Sequence, residues 1–269
     1  MADNNYIHGY SSTEQERLKD QNDVLAKYIY DRCPFKKGRR ILEMGCGVGA
    51  QMQYLLDHYD PSYLCGVDIS AEQIQTAKQT LSRVDSKLFD LVHTDVADFN
   101  PTEQFDHLLF VWVLEHVPDP VQLLQDSVKH LKSGATLFIT EVNHSSMQVL
   151  GASDKFYEIW NAAINFQAQL GGDANIGQRL PEILAACEGL VDVEVKPYEM
   201  HFDQSQAAAR DKLIRYFEPL IESAAIPMIE AKYIEESLWS DVKSEIPQLV
   251  GNPDVTFYYA FEQGFGKVR

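Results

Sequence analysis

The sequence predicts an α/β fold, a mostly parallel sheet covered by helices on both faces, and three observations carry that expectation. Short apolar runs alternate with helix-compatible stretches between residues 40 and 141. The first of these runs enters a glycine-rich turn and leaves it as a helix. The 269 residues are 45% hydrophobic and 23% charged, a globular composition able to bury a sizeable core.

In chain order, Ser11-Ser12-Thr13-Glu14-Gln15 has the form of a capping box, with a serine as cap and Glu14 or Gln15 reaching back. It opens a helix to about residue 31, with Leu18, Val24, Leu25, Tyr28 and Ile29 as apolar positions, and Cys33-Pro34 ends it. Residues 41–44 predict a strand, Gly45-Cys46-Gly47-Val48-Gly49 a turn, and the stretch to about 58 a helix. A second strand, 63–67, ends at Asp68, and Ser70 caps a helix running to about 83. Strands follow at 88–93, 105–111 and 135–141, with a helix over 120–131. Strands separated by helices imply right-handed crossovers and a parallel sheet.

Beyond His144 the pattern changes: 153–170, 178–187, 205–225 and 228–245 predict helices, and only 191–197 and 255–261 have strong strand character. The stretch 154–166 carries Phe156, Tyr157, Ile159, Trp160, Ile164 and Phe166, suited to covering a pocket or to packing on the core. The segment 171–181 combines Gly171 and Gly172 with Asp173, Asn175 and Arg179, and predicts a loop entering a helix over the ligand edge of the sheet.

A net charge of −17 and a pI of about 4.8 disfavour nucleic acid and anionic membrane as partners, because their phosphates are bound through Lys and Arg. Cys33, Cys46, Cys65 and Cys187 form no Cys-x-x-Cys pair, so neither a metal site nor a disulfide framework is expected. No basic region precedes an apolar run in MADNNYIHGYSS, and no window approaches the ~18 apolar residues of a membrane span. A reducing, cytoplasmic setting is the expectation.

Glycines let the backbone approach a ligand closely, and the following helix offers unpaired N–H groups. The spacing here is Gly-x-Gly-x-Gly, whereas the dinucleotide pyrophosphate fingerprint needs glycine at the position of Ala50. Glu43, two residues before the first glycine, suits an ammonium or sulfonium ligand better than a pyrophosphate. Asp68, at the carboxyl end of the second strand, sits where a carboxylate can accept both hydroxyls of a ribose.

With ILEMGCGVGAQ (41–51), LCGVDIS (64–70), HTDVADF (93–99), FDHLLFVWVLEHVPDP (105–120) and LKSGATLFITE (131–141), the chain resembles the class I S-adenosylmethionine-dependent methyltransferases over residues 40–142. YIHGYSSTEQERL (6–18) is similar to the N-terminal lid of a small-molecule subgroup. The resemblance implies a Rossmann-like, seven-stranded sheet whose last strand, 255–261, is antiparallel, with an added helical cover. It divides the chain into a lid (1–35), a cofactor-binding core (36–144), a cover with the sixth strand (145–253) and a closing strand (254–269).

The resemblance further implies that Gly45 and Gly47 pass under the methionine part of S-adenosylmethionine, while Glu43 holds its amino group. Asp68 would bind the ribose, with Ile69 packing on the adenine and Gln73 beside it; Asp95 would accept from the adenine amine and Val96 offer its N–H. Phe110 or Val111 would supply a carbonyl near the sulfonium, Gln51 lie close by, and Tyr10 and Arg17 close over the cofactor.

Methyl transfer from a sulfonium needs chiefly positioning and exclusion of water, and a general base only where the acceptor arrives protonated. Glu115 and His116 after the fourth strand, and Glu141 and His144 after the fifth, are the candidates; Glu141 equally suits fixing a loop. The expected function is methyl transfer to a small-molecule acceptor, without nucleic acid, membrane or metal, in a chain that can assemble as a homo-oligomer. A cyclase or decarboxylase using the same pocket, and a non-catalytic binding protein on the same fold, are the alternatives.

Overall fold

The computed structural model describes residues 7–9 and 11–269. Helix α1 (Ser12–Ile29) is followed by β1 (Arg40–Met44), α2 (Ala50–Tyr59), β2 (Tyr63–Asp68), α3 (Ala71–Thr80), β3 (Phe89–His93) and β4 (Phe105–Val111). Then come α4 (Pro120–Val128), β5 (Leu131–Val142), β6 (Gln148–Leu150), α5 (Asp154–Gln169) and α6 (Leu180–Ala186). Strand β7 (Leu190–Phe202), α7 (Ala207–Glu230), α8 (Glu236–Leu249) and β8 (Thr256–Val268) complete the chain. Ser11 caps α1 by accepting from the Glu14 N–H at 3.2 Å, and the Glu14 carboxylate pairs with Arg17.

The strands form one sheet in the order β3-β2-β1-β4-β5-β8, with β7 on the far side of β8. Strands β1 to β5 pair in parallel, and β8 runs antiparallel to both β5 and β7. The Rossmann-like sheet expected from the sequence is therefore present, with one addition: the short β6 pairs with the start of β8 as an eighth strand.

Each central strand is buried on both faces, which explains why the sequence reads as unbroken apolar runs. Along β4, Leu108 and Phe110 enter a core under α4 and α6, while Leu109 and Val111 enter the larger core under α1, α2, α5, α7 and α8. Complete burial of each such side chain contributes about 1.5–3 kcal/mol.

Among the boundaries that differ from the sequence expectation, which include α4 ending at Val128 and β5 beginning already at Leu131, three have a plain physical reason. The break expected near Pro227 is absent: α7 runs through Pro219 and Pro227 and ends at Glu230, and α8 begins only at Glu236. An interior proline costs about 3 kcal/mol, but the face formed by Phe217, Ile221, Ala224 and Met228 is buried against α5 and α8 and outweighs that local penalty. Strand β7 passes Pro197 because it is an edge strand, where a missing N–H costs no ladder bond on its outer side. Strand β8 continues to Val268 through Gly264, where a Cβ would stand 3.0 Å from Leu184 Cδ1, so the glycine is what lets α6 pack onto the strand. No described helix is long and apolar enough to cross a membrane.

Candidate active site

β1 delivers the chain into the glycine turn at the carboxyl edge of the sheet. Gly45 adopts φ +69°, and a Cβ there would stand 2.6 Å from Val113 Cγ2, so backbone conformation and packing both exclude a side chain. At Gly47 the space is open, with nothing within 4 Å of the place a Cβ would occupy. Its N–H donates to Asp68 Oδ2 at 2.8 Å, and the Ser70 N–H donates to Asp68 Oδ1 at 2.8 Å. Asp68 thereby ties the glycine turn to the start of α3. Burial raises its pKa, and the two N–H bonds oppose that rise.

Glu43 points into the larger core beneath this turn, is 2% exposed, and its Oε2 has no partner among the described residues. Burial, and then the nearby Asp68, hold its carboxyl well above the usual carboxylate range. A buried acceptor with one oxygen unpaired is costly unless a donor reaches it. Ile69, by contrast, is 51% exposed, an apolar side chain left uncovered at the rim. Asp95 caps the short turn Val96–Asp98, accepting from the Ala97 N–H at 3.0 Å.

Except for Glu43, these groups border one cavity of about 680 Å³, within the range of small-molecule sites. Helix α1 contributes Arg17, the glycine turn Gly45 and Gly47, α2 Gln51, the β2 end Asp68 and Ile69, and α3 Gln73. Asp95 and Val96 follow β3, Val111 ends β4, and Glu115, His116 and His144 line the opposite end. Of the other expected residues, Phe110 faces the core under α4, Glu43 and Glu141 lie behind the cavity wall, and Tyr10 is outside the described residues. Arg17 is 5% exposed and forms a bidentate pair with Glu14.

Glu141 is fully buried, and its Oε1 accepts from the N–H groups of Val113 and Leu114 at 2.9 and 2.8 Å. It anchors the turn that follows Trp112, a non-glycine residue at φ +54°. Glu115, carried by that turn, is 5% exposed, with Oε1 3.6 Å from His116 Nε2 and Oε2 4.0 Å from His144 Nε2. His144 Nδ1 lies 3.0 Å from the Tyr259 hydroxyl, and the His144 carbonyl accepts from the Trp160 indole N–H at 2.8 Å. Burial raises Glu115 to about 7 and Glu141 to about 8, and lowers His116 to about 3 and His144 to about 4. Among the described residues no three His, Cys, Asp or Glu are grouped so as to hold a metal ion.

The signs of these shifts define a pH dependence of stability. Glu115 and Glu141 hold protons more tightly folded than unfolded, so their contribution is full below the ordinary 4.5 and lost as pH rises through about 7 and 8. His116 and His144 hold protons less tightly folded, so theirs is full above the ordinary 6.5 and lost as pH falls through about 4 and 3. The urea midpoint is expected to be highest between roughly pH 4.5 and 6.5 and to fall towards pH 8.5. Glu141→Gln should flatten the alkaline fall, and an identical slope in that variant would contradict the assignment.

Several cavity residues carried no sequence signal. Tyr216, Phe217 and Leu220 of α7 and Tyr259 of β8 close the cavity on the side of Glu115 and His144, whereas the aromatic stretch 154–166, which the sequence left open between cover and core, packs on the core. That stretch, α5, supports the site from behind through Trp160. A helical apolar period does not reveal which neighbour it will meet, so only chain packing could separate the two helices. The loop 171–181 borders a smaller cavity of about 300 Å³ behind Val117 and Pro118.

Residues 42–139 match the family model described as a methyltransferase domain. (S)-tetrahydroprotoberberine N-methyltransferase of Eschscholzia californica is 20% identical over 137 residues, covering 51% of this chain and 39% of that enzyme. Phosphoethanolamine N-methyltransferase 2 of Haemonchus contortus, solved in complex with S-adenosyl-L-methionine, superposes with a TM-score of 0.54 at 18% identity, over 92% of this chain and 52% of that one. The cyclase SpnF superposes with a TM-score of 0.55 at 19% identity, over 92% and 82% of the two chains. The chain thus spans about half the length or less of these two N-methyltransferases, and the structural likenesses show a shared fold.

Proposed function

We propose that this chain transfers a methyl group from S-adenosylmethionine to a small-molecule acceptor. The observation that carries the reading is the single cavity in which the glycine turn, Asp68 and Ile69 form one end and Glu115, His116 and His144 the other. The donor end fits the proposed ligand on three counts. The unpaired Glu43 Oε2 behind the turn suits an ammonium group, directly or through water; the open ground over Gly47 admits the methionine chain; and the exposed Ile69 suits one face of an adenine.

In this reading Asp68 accepts from the ribose hydroxyls while still holding the glycine turn, and Asp95 accepts from the adenine amine next to the Val96 N–H. The bound donor supplies a methyl group already activated on a sulfonium. Acceleration then comes from holding the acceptor in line and from excluding water, tasks suited to α1 and α7, which close the cavity with Leu18, Leu25, Phe217 and Leu220. The aromatic acceptor side supports an enclosed, partly apolar small molecule.

Calorimetry of the full chain with S-adenosylhomocysteine tests the first step, and labelled S-adenosylmethionine with a panel of phenols, thiols and amines tests the second. Binding followed by label transfer is the expected result. No binding would refute the reading, and binding with turnover but no transfer would favour a non-transferring enzyme.

A further inference from the structure

We propose that Glu115 takes the proton of the incoming nucleophile, and that Gln167, at the end of α5, is the positioning residue that holds Glu115 for that task; the proposal rests on the methyl-transfer reading. The main chain and carboxylate of Glu115 are both held by one feature. Its carbonyl accepts from the Asp173 N–H at 2.8 Å, and its Oε2 accepts from Gln167 Nε2 at 2.8 Å. The Gln167 carbonyl in turn accepts from the Gly172 N–H at 3.0 Å, which locks the end of α5 against the same turn. A Cβ on Gly172 would lie 2.6 Å from the Glu115 carbonyl oxygen, so the two segments touch with no room for a side chain.

The other carboxylate oxygen is left beside an imidazole, with Oε1 3.6 Å from His116 Nε2, and both residues line the acceptor end of the cavity. Around Glu115 stand His116 on its own turn, Glu141 and His144 from the β5 end, and Asp173 beside α5. Arg17 of α1, Tyr216 of α7 and Tyr259 of β8 complete its charged and titratable surroundings among the described residues, and His8 faces His116 and His144. Burial raises the carboxyl to about 7, and Gln167 is the first group opposing the rise. A proton acceptor poised near the working pH is the efficient one.

As the nucleophile's bond to the methyl carbon forms and the S–CH₃ bond breaks, its bond to hydrogen also breaks, and that proton ends on Glu115, directly or across His116. The sulfonium loses its positive charge as the carboxylate loses its negative one, so no net charge is created in the closed site. The acceptor class is therefore a hydroxyl, a thiol or an amine that still carries a proton, and not a tertiary amine or thioether.

The test uses the full chain, Glu115→Gln and the shape-conserving Gln167→Met. In wild type, the ring signals of His116 and His144 followed by NMR from pH 5 to 9 should show a step near pH 7. That step should be missing in Glu115→Gln, which leaves only the titration of Glu141. In Gln167→Met, which removes a donor to the charged form, it should move up by about 1 pH unit. The acid limb of kcat/KM for transfer to whichever panel acceptor is methylated should move with it.

An unmoved midpoint in Gln167→Met, or a step in Glu115→Gln that persists when Glu141→Gln is added to it, would overturn the proposal. If Glu115→Gln fails to fold, Gln167→Met alone decides. S-adenosylhomocysteine calorimetry on the same samples separates the two readings: absent binding to wild type refutes methyl transfer, whereas the titration judges the Glu115 clamp by itself.

Discussion

Replacing Asp68 by Ala is expected to weaken binding of S-adenosylhomocysteine by about 1–3 kcal/mol, roughly 5- to 150-fold. Two losses combine. The proposed ribose acceptor disappears, and the Gly47 and Ser70 N–H groups lose the carboxylate that ties the glycine turn to α3. Asp68→Asn separates them, because its amide retains one acceptor oxygen for a backbone N–H but forfeits the charge-assisted bond to a hydroxyl. Asn should therefore recover part of the affinity. Calorimetry checks the series, and an Asp68→Ala affinity equal to wild type would remove Asp68 from the binding site.

Glu141→Leu should cost more, about 2–5 kcal/mol of folding stability. The leucine fills the space but leaves the Val113 and Leu114 N–H groups without their buried acceptor, at about 1–3 kcal/mol each. Glu141→Gln keeps a carbonyl oxygen in the same place and should stay within about 1 kcal/mol of wild type. The urea midpoint reads both. A Leu variant as stable as the Gln variant would show that the turn finds other partners. The contrast also bears on catalysis: Glu141 belongs to the scaffold of the turn that carries Glu115 and His116, whereas the sequence left it open between base and anchor.

The end of the cavity proposed to hold the donor was largely legible in the chain. Its features are local: a strand enters a glycine turn, a helix leaves it, and a carboxylate ends the next strand. The cavity lining includes Gly45, Gly47, Gln51, Asp68, Ile69, Gln73, Asp95, Val96 and Val111 as the motif order implied. The end proposed for the acceptor was legible only as a list of titratable residues near two strand ends. Nothing in the neighbourhood of Glu115 indicates that Gln167, 52 positions away, donates to it, or that Tyr259, 115 positions from His144, fixes that imidazole.

The sequence by itself determined the α/β class, the parallel β1–β5 core and the sheet edge at which the cavity lies. Alternating apolar runs, caps and glycines act over a few residues, and crossover handedness does the rest. Only the tertiary structure decided that α7 rather than α5 closes the cavity, that α7 passes two prolines, and that of four similar titratable side chains Glu141 holds the backbone while Glu115, His116 and His144 face the cavity. Those outcomes depend on burial against distant segments, and burial is what overrides a proline's local cost, raises a carboxyl and leaves an imidazole neutral.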